Sequence, residues 1–197
     1  MKVGFIGTGG TGKTTTVRLL EDLGLPYIKS TPRSVFAKYG ITEADQAKIT
    51  PEQRWSIQHE MFCLKLELDA ANPHGLFDRT IVDHLAYCYY RAADIIPDDV
   101  ASVMEQTAQA NMHSYDLVFY FPILPFDGND GLRQQGWAYR AVIDASMLGF
   151  LNIFRVPYHT VQPGTPEERA DFVRRTYQTA LSLKYYSDIL KKEETTL

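Results

Sequence analysis

A glycine-rich stretch near the start of the chain restricts the possible folds more than any other feature of the sequence. Residues 7–14 read Gly-Thr-Gly-Gly-Thr-Gly-Lys-Thr and match the pattern G-x-x-x-x-G-K-S/T in full. An apolar run precedes them and an amphipathic run follows, which supplies the strand and the helix that this pattern requires. Glycines adopt positive φ values and let backbone N–H groups surround phosphate oxygens, while the positive end of the following helix faces the same anions. The stretch therefore predicts a phosphate-binding loop.

The residues of this loop have definite expected roles. Lys13 is expected to reach the β- and γ-phosphates of a nucleoside triphosphate, and the hydroxyl of Thr14 is expected to bind Mg²⁺. The donor and the metal are accordingly predicted to be ATP and Mg²⁺. The residues predicted to contact the nucleotide are Gly7, Thr8, Gly9, Gly10, Thr11, Gly12, Lys13, Thr14 and Thr15.

Short apolar runs alternate with longer amphipathic runs along all 197 residues, which predicts one α/β domain over 1–197. We expect the three-layer fold of phosphate-loop NTPases, with a five-stranded parallel sheet flanked by helices. The predicted strands are Lys2–Ile6, Tyr27–Lys29, Gly75–Phe77, Leu117–Phe121 and Tyr158–Val161. The predicted helices are Lys13–Leu23, Pro51–Asn72, Thr80–Ile96, Pro97–Met112, Gly136–Phe154 and Pro166–Leu183, the last with Thr165 as its N-cap and Glu168 as the capping-box residue.

Two segments differ from this alternation. Pro122–Gln135 is long, polar and glycine-containing and follows a predicted strand, so a lid is expected over about residues 122–140. A closing lid brings cations onto the phosphates, and Arg133 and Arg140 are the candidates for that role. Residues 191–197 are expected to fray.

Composition excludes several classes of function. The chain has 24 Asp and Glu residues against 20 Lys and Arg, a net charge of -4, so no global basic field attracts nucleic acid. No apolar run approaches the roughly 18 residues that span a bilayer, and the first residues lack the apolar core of a secretory signal. Cys63 and Cys88 are too few for a disulfide framework or a cysteine-based zinc site. A cytoplasmic protein without a membrane partner is expected.

The end of the third predicted strand, Asp78-Arg79-Thr80, distinguishes between classes of phosphate-loop protein. A motor or AAA-type ATPase needs a pair of carboxylates there, and a GTPase needs an Asn-Lys-x-Asp sequence, which this chain lacks. Phosphoryl transfer to a hydroxyl needs a carboxylate near Mg²⁺ and the acceptor, together with cations on the transferred group. Asp78 is predicted to activate the acceptor and to bind Mg²⁺. Arg79 is predicted to neutralise charge, so the catalytic candidates are Lys13, Asp78, Arg79 and Arg133.

A family resemblance follows from the order of these features. Arg33 after the second strand, Gln58 in the long helix and Asp78-Arg79-Thr80 together resemble the deoxynucleoside and nucleoside-monophosphate kinase group over most of the chain up to the lid. Deoxynucleoside kinases have Glu-Arg-Ser at this position, and thymidylate kinases have Asp-Arg followed by an aromatic residue or His. The Asp-Arg-Thr of this chain is intermediate between these two patterns. Residues 78–87 and 130–133 are also similar to AAA-like bacteriophage kinases that phosphorylate hydroxymethyluracil bases in DNA. The resemblance implies a single phosphate-loop kinase domain.

The resemblance also implies an acceptor site beside Asp78. The amide of Gln58 is expected to pair with the edge of a nucleobase, and the ring of Tyr87 to stack on its face. The candidate acceptor contacts are Arg33, Gln58, Asp83 and Tyr87, with Trp55, Phe62 and Tyr90 as further aromatic candidates.

The predicted activity is ATP- and Mg²⁺-dependent transfer of the γ-phosphoryl group to a hydroxyl of a nucleoside, a nucleotide or a modified base in phage DNA. A deoxynucleoside monophosphate kinase and a regulatory NTP-hydrolysing protein without an acceptor are the alternatives. A nucleic-acid-binding module would use a cleft of Arg33, Arg79, Arg133 and Arg140, and the acidic total disfavours it. A second copy of the chain, in a homodimer, is a further expected partner.

Overall fold

The computed structural model describes residues 1–30, 32–42, 45, 48–123 and 136–194, with the backbone alone for Arg33 and residues 189–194. Arg133 and most of the predicted lid, residues 124–135, lie outside the described residues. No helix within the described ranges is both long enough and apolar enough to cross a membrane.

All five predicted strands form one parallel sheet, which confirms the predicted fold class. The strands are β1 (Lys2–Ile6), β2 (Tyr27–Lys29), β3 (Gly75–Asp78), β4 (Leu117–Tyr120) and β5 (His159–Thr160). Their order across the sheet is β2-β3-β1-β4-β5. Because β3 and β4 flank β1, the residues that follow these three strands lie together at the carboxyl ends of the strands, where this class of fold binds its ligands.

Seven helices lie within the described part of the chain, and six of them were expected from the sequence. They are α1 (Lys13–Arg18), α2 (Pro32–Lys38), α3 (Pro51–Ala71), α4 (Ile81–Ala92), α5 (Asp98–Met112), α6 (Trp137–Ile153) and α7 (Pro166–Glu194). The predicted start of α7 is confirmed, because the Thr165 hydroxyl accepts from the backbone N–H of Glu168 and the Glu168 carboxylate accepts from that of Thr165.

Helix α1 is shorter than predicted. It ends at Arg18 instead of Leu23, and a 3₁₀ turn over Glu21–Leu23 follows it. The backbone N–H of Leu20 bonds to the carbonyl of Val17, three residues back, and this tighter winding keeps Leu20 fully buried. The hydrophobic pattern of the segment is therefore satisfied without a continuous α-helix.

Two further corrections concern α2 and α7. The segment after β2 is not among the predicted helices, but it forms a helix of seven residues that begins at Pro32, a residue suited to a first helical turn. Helix α7 continues beyond the predicted end at Leu183 to Glu194, because neither Gly nor Pro follows Leu183 to stop it. The backbone of 191–194, which was expected to fray, is helical.

The sheet separates two hydrophobic clusters. Val3 and Phe5 of β1 point to one face and pack with α1 and α7, while Ile6 packs on the other face with α4, α5 and α6. Gly4 lets α4 approach this second face, since a Cβ at Gly4 would lie 2.7 Å from the Cγ2 atom of Thr80. This close packing brings the start of α4 against the strand that leads into the phosphate-binding loop.

Candidate active site

The ends of β1 and β3 bring the predicted donor and catalytic residues together. The two strands pair in parallel with Phe5 opposite Asp78, and the backbone N–H of Arg79 continues this pairing with a bond of 3.1 Å to the carbonyl of Phe5. The loop that starts at Gly7 therefore leaves the sheet beside Asp78.

The phosphate-binding loop has the backbone conformation that its glycines predict. Gly7, Gly10 and Gly12 have φ values of 147°, 80° and 81°, in the region that disfavours a side chain. A Cβ at Gly7 would lie 2.5 Å from the carbonyl oxygen of Phe121, and a Cβ at Gly12 would collide with the guanidinium of Arg169. Gly7 thus needs glycine for space as well as for conformation, whereas at Gly12 the backbone conformation is the main requirement.

The ammonium of Lys13 lies inside the loop. Its Nζ donates to the carbonyl oxygens of Gly7 at 2.6 Å and Thr8 at 2.7 Å, and to the hydroxyl of Thr11 at 3.0 Å. The side chain is 5% exposed. The loop therefore holds a positive charge at its centre, in the position to meet a phosphate chain. Thr15, the last predicted loop contact, is an exposed residue of α1.

Asp78 links the loop to the edge strand. Its Oδ2 atom accepts hydrogen bonds from the Thr14 hydroxyl at 2.7 Å and from the Tyr27 hydroxyl at 2.8 Å. Burial by itself raises the pKa of Asp78, but the charge of Lys13 and the bond from Thr14 outweigh it and hold that pKa below its ordinary value. The carboxylate is therefore kept ionised.

The oxygen atoms of Thr14 and Asp78 fit the requirements of Mg²⁺. Mg²⁺ prefers hard oxygen ligands, and one or two protein ligands suffice where phosphate oxygens and water complete the shell. Within the described ranges, no cluster of three or more His, Cys, Asp or Glu residues forms a different metal site. Thr14 and Asp78 thus provide two oxygen donors of the type that Mg²⁺ prefers.

Asp83 connects α4 to the loop. One carboxylate oxygen accepts from the backbone N–H of Gly7 at 3.2 Å, and the other accepts from the backbone N–H of Thr80 at 2.8 Å and caps the helix. Its side chain is fully buried, and burial raises its pKa although the charge of Arg79 opposes this. Asp83 is predicted as an acceptor contact, and in the structure its carboxylate accepts hydrogen bonds that position the loop and cap α4.

Three of the predicted residues line a single cavity, which encloses about 380 Å³ of empty space, part of it open to solvent. Gln58, Arg79 and Tyr87 all contribute to its wall, and the guanidinium of Arg79 lies 5.2 Å from the centre of the Tyr87 ring. Among the described residues, the wall consists of Pro32, Phe36, Gln58, Met61, Arg79, His84, Tyr87 and Arg91. We call this the acceptor cavity.

Arg79 holds an unusual backbone conformation at the mouth of this cavity. Its φ is 82°, a value that residues other than glycine adopt rarely and that marks functional sites when the surroundings maintain it. Here a hydrogen bond from the backbone N–H of Arg79 to the carbonyl of Phe5 fixes the backbone, and an ion pair of 3.9 Å between Nη1 of Arg79 and Oδ1 of Asp83 fixes the side chain. These two contacts maintain the strained backbone of Arg79 and hold its guanidinium near the end of β3.

His84 is a cavity residue that the sequence did not single out. Its Nε2 atom lies 2.9 Å from the hydroxyl of Ser30, and the side chain is 6% exposed. Burial first, and then the charge of Arg79, lowers the pKa of His84 well below its ordinary value, so the ring is neutral. The cavity therefore presents an uncharged imidazole beside the amide of Gln58.

The other predicted residues are placed less centrally. Trp55, Phe62 and Tyr90 do not belong to the wall of the acceptor cavity, and Phe62 is part of the core. Arg140 is buried in the first turn of α6, with 6% exposure. Arg33 lies at the start of α2, but its side chain is outside the described part of the structure.

One further contact to the loop comes from the far end of the sequence. The guanidinium of Arg169, in the first turn of α7, donates from Nη1 to the carbonyl oxygen of Thr11 at 2.9 Å. The side chain is 6% exposed. No local pattern signals this contact, because the two residues are 158 positions apart.

A protein-family model described as an AAA domain matches residues 2–169. The chain belongs to this AAA domain family. The match extends from β1 to the first turn of α7 and so includes the loop, Asp78 and the acceptor cavity. No curated protein sequence matches the chain significantly.

Solved structures share the fold of this AAA domain at low sequence identity. The deoxyadenosine kinase of M. mycoides with bound dCTP superposes with a TM-score of 0.66 at 15% identity, over 91% of this chain and 100% of that one. The NadR protein in complex with NR gives 0.64 at 18% identity over 88% of this chain and 50% of that one. A shikimate kinase from Aquifex aeolicus vf5 gives 0.52 at 13% identity over 90% and 96%. The fold is thus shared with phosphate-loop kinases.

Proposed function

We propose that this AAA domain protein is a kinase that transfers the γ-phosphoryl group of ATP, with Mg²⁺, to a hydroxyl of a nucleoside- or nucleotide-type acceptor. One observation carries the proposal. Asp78 is hydrogen-bonded to Thr14 of the phosphate-binding loop, and the next residue, Arg79, lines a cavity that also contains Gln58 and Tyr87. The carboxylate bonded to the loop and the arginine in the wall of the cavity are thus consecutive residues.

The loop is suited to hold the donor. Its backbone N–H groups and the ammonium of Lys13 would bind the β- and γ-phosphates, and Thr14 with Asp78 would hold Mg²⁺. The bound metal would neutralise charge on the phosphates. Within the described residues, Arg140 at the start of α6 is the remaining proposed nucleotide contact, and Arg133 is proposed for the same role from the sequence alone.

The transfer itself needs one base and several cations. The acceptor hydroxyl loses its proton to Asp78, its oxygen forms the new bond to the γ-phosphorus, and the bond from that phosphorus to the bridging oxygen of ADP breaks with its electron pair. Oδ2 of Asp78 accepts from Thr14 and Tyr27, so Oδ1 is the oxygen proposed to take the proton. Lys13 and Arg79 stabilise the charge that spreads over the transferred group.

The lining of the acceptor cavity supports a nucleobase-containing acceptor. The amide of Gln58 can donate and accept along the edge of a base, and the ring of Tyr87 can cover its face. The fold shared with a deoxyadenosine kinase supports the same class. Within this class the proposed acceptors are a free nucleoside, a monophosphate that becomes a diphosphate, and a hydroxymethylated base in DNA, for which the base would leave the stack.

The AAA domain match favours one second candidate function. A regulatory protein that hydrolyses NTP without an acceptor would use the same loop, Thr14 and Asp78. It would leave the acceptor cavity without a role in turnover, so the two functions make opposite predictions for added acceptors.

A transfer screen tests the proposal. Purified protein is incubated with Mg²⁺ and ATP labelled at the γ-phosphate, together with nucleosides, nucleoside monophosphates, or DNA with and without hydroxymethylated bases. We expect label on one of these acceptor classes and none with the Lys13→Ala variant. Release of labelled phosphate at a rate that no acceptor changes would instead establish the hydrolase.

A further inference from the structure

A carboxylate that the sequence did not single out lies beside the phosphate-binding loop. Tyr120 ends β4 and is paired with Ile6, the residue directly before the loop. Its hydroxyl donates to Oδ2 of Asp144, on α6, at 2.5 Å. Tyr120 thus holds the Asp144 carboxylate at the carboxyl ends of the strands, on the side of the sheet where the phosphate-binding loop lies.

The second oxygen of this carboxylate has no evident structural use. Oδ1 of Asp144 is shielded from solvent and accepts no hydrogen bond from any residue within the described ranges. A buried acceptor without a donor destabilises a fold, and such atoms in native proteins call for a functional explanation.

The charges that face Asp144 supply this explanation. Burial raises its pKa, whereas the bond from Tyr120 and the charges of Lys13 and Arg140 lower it. These groups come from β4, from the loop and from α6 itself. Arg140 precedes Asp144 by one turn on α6, and Tyr120, the donor to Asp144, is paired with the residue directly before the loop that contains Lys13. The carboxylate therefore lies near two cations that the proposed function assigns to the phosphates of the nucleotide.

We propose that Asp144 is the resting counter-ion of the nucleotide site, a positioning residue whose negative charge offsets Lys13 and Arg140 until the phosphates of ATP take over that role. The inference rests on the proposed nucleotide site and goes beyond it. Phosphate binding must compete with the Asp144 carboxylate for the same positive charge. Asp144 consequently weakens nucleotide binding and keeps the empty loop from retaining cellular anions.

The proposal predicts a gain of affinity on removal of a charge, which is the opposite of the usual result of mutating a binding site. Asp144→Asn keeps the shape and the bond from Tyr120 but removes the competing charge. We expect ATP to bind this variant about fivefold more tightly than wild type, the lower end of common coupling between two charged sites. The gain should be greater for metal-free ATP than for MgATP, because Mg²⁺ already neutralises part of the phosphate charge.

The experiment is a calorimetric titration of the full chain with ATP, once with EDTA and once with Mg²⁺. Asp98→Asn is the matched control, since it removes the same charge from an exposed position on α5. Asp94→Asn is the second control, because it removes the same charge from an exposed position between α4 and α5. Both controls should stay within about twofold of wild type, and thermal melting establishes that all variants are folded.

Three results would overturn the proposal. Unchanged or weaker ATP binding by folded Asp144→Asn would show that the carboxylate does not compete with phosphate, and a loss confined to MgATP would make Asp144 a metal ligand. An equal gain in Asp98→Asn or Asp94→Asn would assign the effect to net charge. Failure of the wild-type protein to bind ATP at all would refute the nucleotide site itself and is thereby distinct from these results.

Discussion

The phosphate-binding loop and the acceptor cavity lie side by side but are built in different ways. The loop takes its ligand-facing groups from one continuous segment, residues 7–14, whose conformation its glycines dictate. The cavity takes its wall from three helices, with Phe36 on α2, Gln58 on α3 and Tyr87 on α4. Asp78 and Arg79 are the junction between the two regions.

This difference explains what each region can reveal about function. A loop made from consecutive residues has nearly the same geometry wherever its pattern occurs, so it indicates the donor but not the reaction. A cavity formed by packing three helices can change shape with any residue along them, so we expect it to determine which acceptor binds. Variants of the loop should thus abolish activity on every acceptor, whereas variants of the cavity should change which acceptors are used.

The largest effect is expected from Lys13→Ala. Loss of the ammonium removes charge stabilisation from the transferred phosphoryl group, so turnover should fall about 10³-fold with every acceptor. Steady-state kinetics with labelled ATP measure this loss. Lys29→Ala, at an exposed position of β2, is the matched control and should retain turnover. Near-normal rates from a folded Lys13→Ala protein would remove the donor role from the loop.

Asp78→Asn should lower kcat by about 10²-fold while the Kd for ATP changes little, because a general base acts mainly in the transition state. Kinetics at saturating ATP, together with direct binding, separate the two quantities. Tyr27→Phe removes one hydrogen bond to the same oxygen and should have a much smaller effect on kcat. If Asp78→Asn raised only the KM for ATP, the residue would be a metal or capping ligand without a role in transfer.

Gln58→Ala should raise the KM for the acceptor about tenfold and leave the KM for ATP unchanged, since it removes hydrogen bonds to a base edge worth about 1–2 kcal/mol. Arg33→Ala extends the comparison, because it should impair a monophosphate or DNA acceptor and spare a free nucleoside. The exposed Gln106→Ala on α5 serves as the control. Unaltered kinetics of Gln58→Ala with every acceptor would place the acceptor outside this cavity.

The smallest predicted effect concerns stability near His84. Its lowered pKa keeps the folded protein from binding a proton that the unfolded chain takes up below about pH 6.5. Stability should therefore fall as the pH falls from 6.5 to 5.5, and His84 should contribute about 1 kcal/mol to that loss. Urea unfolding of wild type and His84→Gln at both pH values measures the difference. An identical pH dependence in the two proteins, or the same change in the exposed His59→Gln control, would contradict a buried neutral His84.

The sequence predicts those parts of the molecule whose signals are local. The five strands, the loop and the cap of α7 at Thr165 each depend on neighbouring residues, and their positions are confirmed. Helix α2 escaped prediction because its seven residues contain little periodic signal. Three hydrogen bonds were not predicted, because each joins residues of different elements that only the packed structure brings together. They are the bonds between Ser30 and His84, Tyr120 and Asp144, and Arg169 and Thr11. The bonds of Asp83 to the N–H groups of Gly7 and Thr80 show that a carboxylate near the site can also support the loop and cap a helix.

The fate of the γ-phosphoryl group shows most directly whether the loop and the cavity serve one reaction. Labelled ATP is turned over by wild type and by Gln58→Ala in the presence of the best acceptor, and the label on the acceptor is compared with the label released as inorganic phosphate. If both regions serve one reaction, we expect wild type to place most of the label on the acceptor and Gln58→Ala to release a larger share of it as inorganic phosphate. Label found only as inorganic phosphate, in the same amount from both proteins, would contradict it.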